Sequence, residues 1–162
     1  MKRMFIALTI IGLCILVAES SFAQATQQVN LTVSAVSKIA VGSPSLAMTI
    51  NNGTPGSDAL TPASVNSTYS ITHNSATSLR ITAAIDQPLP AGLTLSIGLT
   101  PGSGHGTAVG TVDISNATTA VEVVNSIPRG ADANAGITYT FGALASSGVQ
   151  TVVRNVTLTL TN

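Results

Sequence analysis

The sequence predicts an all-β protein: an N-terminal signal peptide followed by one immunoglobulin-like β-sandwich of about eight or nine strands. Three observations carry that expectation. Short runs of alternating apolar and polar residues recur along the chain, and turn signals separate them about every 8–12 residues. The polar residues are mostly Thr, Ser and Asn rather than Lys and Glu. Thr is β-branched and fits a pleated surface, whereas Ser and Asn compete with helical hydrogen bonds. Outside the first residues no long stretch repeats with the 3.6-residue period of a helix, and no internal repeat points to a solenoid or propeller.

The chain opens with Lys2 and Arg3, then an apolar run from Met4 to Val17 broken only by Thr9 and Gly12. Ser21-Phe22-Ala23 and Ala23-Gln24-Ala25 both place small residues where a signal peptidase cuts. Residues 1–23 therefore read as a signal peptide and 24–162 as a single domain, with cleavage after Ala23 or Ala25. The apolar run is shorter than the roughly 20 residues a membrane span needs. Cys14 follows the bulky Leu13, so it reads as one more apolar residue of the leader rather than a lipidation site.

Beyond the leader, Gln24 to Gln28 is polar. Val29, Leu31, Val33 and Ala35 alternate with Asn30, Thr32 and Ser34, which predicts a first strand. The same residues, Val29, Leu31 and Val33, form a candidate assembly strand, because a strand just behind the polar segment Gln24 to Gln28 can pair with a neighbour's sheet as well as its own. Val36 breaks the parity, so a bulge or change of sheet is expected near Ser37 before Ile39 and Val41. Gly42-Ser43-Pro44 reads as a turn and Leu46, Met48 and Ile50 as a short strand, with a loop over 51–58. Tyr69 and Ile71 mark the next strand, and Leu79, Ile81, Ala83 and Ile85 another. Pro88 to Gly92 is a rigid turn before Leu93, Leu95, Ile97 and Leu99. A glycine-rich loop, 101–106, leads to Val109, Val112 and Ile114, and then to Val121–Ile127. Pro128-Arg129-Gly130 opens an expected loop to Gly136, followed by Ile137, Tyr139 and Phe141. In the tail Val152, Val156, Leu158 and Leu160 share one parity, with Val153, Asn155, Thr157 and Thr159 on the other.

After the leader the chain has no cysteine, four cations (Lys38, Arg80, Arg129, Arg154) and five acids (Asp58, Asp86, Asp113, Glu122, Asp132). So sparse a charge makes neither a nucleic-acid-binding stripe nor a polybasic membrane patch. Without disulfides the fold must rest on its aliphatic core. Tyr69, Tyr139 and Phe141 are too few aromatics for the girdles of an outer-membrane barrel.

The candidate sites are thin. His105 stands among glycines, but a phosphate-cradling loop needs a helix after it, and Thr107 to Ile114 is strand-like. His73 and His105 lack neighbouring His or Cys at metal-ligand spacing. Asp132-Ala133-Asn134 resembles the start of a calcium loop without its glycine and terminal glutamate. No Gly-x-Ser-x-Gly precedes a helix. Asn30, Asn52, Asn66, Asn116 and Asn155 each begin an Asn-x-Ser/Thr triplet, as chance supplies in a chain this rich in Asn and Thr. The expectation is therefore no catalytic residue, no cofactor and no metal.

Two segments carry a family likeness. Ile127-Pro128-Arg129-Gly130, with Ala135-Gly136-Ile137-Thr138-Tyr139, and the closing Asn155-Val156-Thr157-Leu158-Thr159-Leu160-Thr161-Asn162 resemble the final hairpin of bacterial surface β-sandwich proteins of the spore coat protein U and archaic pilin-subunit type. The resemblance implies an immunoglobulin-like fold, export, and a structural or adhesive role at the cell surface. The leading expectation is a non-enzymatic protein of the periplasm, cell surface or extracellular space, a fibre or matrix subunit that assembles by strand addition. Its partners would be further copies or other surface proteins, with no nucleic acid and no membrane span after cleavage. The alternative is a soluble module that binds carbohydrate or protein through its loops.

Overall fold

The computed structural model describes residues 23–162. The leader assigned to residues 1–23 lies outside the described residues, apart from Ala23. The chain divides between Thr32 and Val33. On the N-terminal side, residues 23–32 carry no helix or strand and are exposed throughout.

Residues 33–162 form a β-sandwich of nine strands in two antiparallel sheets: β1 (Ser37–Val41), β2 (Ala63–His73), β3 (Leu79–Ile85), β4 (Leu93–Thr100), β5 (Thr107–Ala108), β6 (Thr111–Asp113), β7 (Val121–Ile127), β8 (Gly130–Ala143) and β9 (Val156–Thr161). One sheet has the order β1-β2-β8-β4-β6 and the other β5-β7-β3-β9. Among the described residues no helix is long and apolar enough to cross a membrane.

The alternation read from the sequence places the core. On β3, Leu79, Ile81, Ala83 and Ile85 are buried while Arg80 is exposed; on β4, Leu93, Leu95, Ile97 and Leu99 are buried while Thr94 and Thr100 are exposed. These inner faces meet Ile114, Val123, Val124, Ile127, Ile137 and Tyr139 in one cluster. Burying a side chain of this size contributes about 1.5–3 kcal/mol, which is how a chain without disulfides holds two sheets together.

Four expectations are corrected. Val29–Ala35 forms no strand; β1 starts at Ser37, where the parity changes, and Val29, Leu31 and Val33 are 67%, 89% and 88% exposed. Leu46, Met48 and Ile50 alternate in burial, yet no strand is made there, because their main chain meets no partner edge. The tail strand starts at Val156 rather than Val152 for the same reason.

The fourth correction is that the loop expected over 130–136 is part of β8, which pairs with β2 along its length. Its register shifts between Tyr69 and Ile71, opposite Ala135 and Asp132, and Asn134 there has a left-handed φ of 57°. Asn134 N–H donates to Ser70 Oγ at 3.1 Å. Asp132-Ala133-Asn134 is thus a β-bulge, a local irregularity that ladder bonds on both sides carry through.

Candidate functional site: a groove between the sheets

Each sheet ends in a strand paired on one side only. β1 pairs with β2, β9 pairs with β3, and β1 and β9 lie beside each other on the same side of the sandwich. A cavity of about 610 Å³ opens beside these strands, lined by Val41 at the end of β1 and Val156 at the start of β9. Its floor is the inner face of β4 and β8, through Leu93, Leu95, Ile137, Tyr139 and Phe141. Its walls are residues 43–50 and 150–156.

Both walls have the side-chain pattern of strands and none of the main-chain pairing. Leu46, Met48 and Ile50 are half-buried between exposed neighbours, and so are Val152, Arg154 and Val156. Among the described residues, the backbone of 43–51 makes no backbone hydrogen bond, and neither does that of 149–154. A backbone donor or acceptor left without a protein partner must keep water or find a strand. Two unpaired edges flanking an apolar floor are therefore what an added β-strand requires: main chain to pair with, and pockets for every second side chain.

The groove has little charge. Arg154 is the only charged residue lining it, and its guanidinium donates to the carbonyls of Gln87, Pro88 and Val153. Asp86 fastens the same wall, accepting from Asn155 N–H at 3.2 Å and from Asn155 Nδ2 at 2.9 Å. Desolvation pushes the Asp86 carboxyl up, but the bonds from Asn155 and Gln87 and the charge of Arg154 outweigh it and hold it below the usual carboxylate range.

The residues nominated for chemistry do other work. His73 is buried, with Nε2 2.7 Å from the Pro128 carbonyl and Nδ1 without a partner. Asp132 accepts a bond from Gly102 N–H, which ties the glycine-rich loop to the β8 bulge. That loop runs into β5 rather than into a helix, so it presents no helix N-terminus to an anion. Among the described residues no group of three His, Cys, Asp or Glu side chains could hold a metal ion.

The candidate assembly strand is crossed by the boundary after Thr32; its residues form no strand, and Val29, Leu31 and Val33 are exposed. Sequence reasoning missed the groove. Its walls were legible as alternating segments, but alternation reports which side chains are buried and says nothing about whether the main chain has a neighbour. The chain matches no protein-family model and no curated protein.

Proposed function

We propose that this chain is a non-enzymatic structural subunit, exported to the cell surface or its surroundings, with an immunoglobulin-like sandwich that assembles by strand addition. The segment around Val29, Leu31 and Val33 of one copy enters the groove of the next. The observation that carries this reading is the groove itself: two alternating walls with unpaired main chain around an apolar floor.

The occupant follows from chemistry and position. Val29-Asn30-Leu31-Thr32-Val33 is uncharged and its three apolar side chains are exposed, which suits a groove with an apolar floor. Asn74 holds the residues that follow: its Oδ1 accepts from Val36 N–H at 2.7 Å, and its Nδ2 donates to the Ser34 carbonyl at 2.8 Å. That clamp sits at the Ser37 end of β1, and the groove opens at the Val41 end. The point where this segment is anchored and the groove thus lie at opposite ends of β1. A donor at one end and an acceptor at the other give a head-to-tail contact, which grows as an open chain unless rotation closes it.

The test is sedimentation of the chain from Gln24 onward over a range of concentrations. Multimers that grow with concentration, and a Leu31→Asp variant that stays monomeric, are expected. A wild-type chain that remains monomeric throughout would overturn the reading in favour of a soluble binding module.

A further inference from the structure

Arg154 occupies an inward position of its wall, between Val152 and Val156, where an apolar residue would have completed the strand pattern. Its side chain instead turns to the loop after β3. Nε lies 3.0 Å from the Gln87 carbonyl, Nη2 lies 2.8 Å from the Pro88 carbonyl, and Nη1 lies 2.8 Å from the Val153 carbonyl. This is a guanidinium used as a fork across main-chain oxygens, a geometry an ammonium cannot copy. No ladder bond holds residues 150–154, so the wall stands on Arg154 and on the Asp86–Asn155 contact beside it.

We infer that Arg154 is a positioning residue of the strand-binding groove: by bonding Gln87 and Pro88 it holds the wall of residues 150–155 apart from the Leu46–Ile50 wall, at the separation an incoming strand needs. The inference rests on the strand-addition reading. Without the fork, Val152 gains by moving onto the apolar floor, because closing the cavity covers half-buried Phe141 and half-buried Val152 itself. The energy that would seat a neighbour's strand is then spent within one chain. The carbonyls that Arg154 bonds, those of Gln87, Pro88 and Val153, all lie outside the strands, so its loss acts on the groove before it acts on the fold.

The experiment uses the chain from Gln24 onward carrying Leu31→Asp, which leaves the groove free of neighbours, and a labelled synthetic peptide spanning Gln28 to Ser34 as the probe. Fluorescence anisotropy measures affinity, and a thermal melt of each variant measures the fold. Added Arg154→Gln should weaken peptide binding by about tenfold or more while the melting temperature stays within about 5 °C. Arg154→Lys should fall between the two, and Asp86→Ala, which removes the second fastening, should repeat part of the loss. Equal affinity with and without Arg154 overturns the inference and leaves strand addition standing. A variant that is unfolded at the assay temperature also overturns it, by making Arg154 a residue of the fold. If the parent chain with Arg154 intact binds no peptide, strand addition itself fails and the inference falls with it.

Discussion

Asp132, in the β8 bulge, accepts a 2.8 Å hydrogen bond from the backbone N–H of Gly102, and the two approach so closely that a Cβ on Gly102 would lie 2.6 Å from Asp132 Oδ1. The bulge aims the carboxylate inward, and the glycine lets the β4–β5 loop come down on it. Gly102→Ala is expected to destabilise the fold by about 1–3 kcal/mol, the cost of overpacking a closed site, measured by urea melts. Gly104→Ala, where nothing lies within 4 Å but φ is +78°, should cost about 1 kcal/mol through backbone strain alone. If the alanine at 102 proved harmless, the loop would not be latched to the bulge as described.

Tyr69, with Asp132 beside it, contributes to the alkaline limit, as does Tyr139, whose hydroxyl burial also pushes up. The Tyr69 hydroxyl is buried without a hydrogen-bond partner, and burial first, then the nearby Asp132 charge, pushes its pKa up to about 12. A folded pKa above the unfolded value near 10 means stability that is complete below pH 10 and is lost as pH rises toward 12. Tyr69→Phe should flatten that alkaline slope. At pH 7 it should be neutral or stabilising, because it removes a buried polar group that has no partner. A marked loss of stability at pH 7 would reveal a bond to the hydroxyl.

Acid sensitivity should have the opposite sign. Ser115 donates its side-chain hydroxyl and its backbone N–H to Asp113 Oδ1, and these bonds outweigh desolvation to hold the carboxyl below its usual range. With a depressed folded pKa, the contribution is present above the unfolded value of about 4 and is lost as pH falls through the folded value. Melting temperatures should drop below about pH 4, and Asp113→Asn should make the fall shallower. Identical acid profiles for the two proteins would remove Asp113 from the explanation.

On β9, Leu158 is half-buried opposite Ala83, and exposed Thr157 stands opposite Ala84. Leu158→Ala should cost about 2 kcal/mol, the low end for such a truncation because the site is partly open. Thr157→Ala should stay within about 0.5 kcal/mol. Equal costs in urea melts would mean that the strand turns the other face inward.

β3 and β4 were legible residue by residue because each has one apolar face and one polar face. Leu79 to Ile85 and Leu93 to Leu99 could hardly be drawn otherwise. The first half of β8 was not legible. Gly130, Asn134 and Gly136 are breakers by local propensity, and the ladders with β2 and β4 carry the strand past them around a bulge. The groove was hidden for a different reason. Leu46, Met48 and Ile50 face inward as a strand would, and the missing element is a neighbour for their backbone, which no property of their own side chains encodes. Val29, Leu31 and Val33 are the converse, with the pattern of a strand and no sheet to join.

The measurement closest to the central claim is amide hydrogen exchange at residues 44–50 and 150–155, followed as protein concentration rises. In the separate chain these amides, apart from that of Asn155, which donates to Asp86, lack partners and should exchange rapidly, while those of β3 and β4 stay protected. Strand addition predicts that protection of both walls grows in step with multimer formation, and that Leu31→Asp abolishes it. Exchange at the two walls that stays fast in the multimer, or that does not change with concentration, would contradict the account.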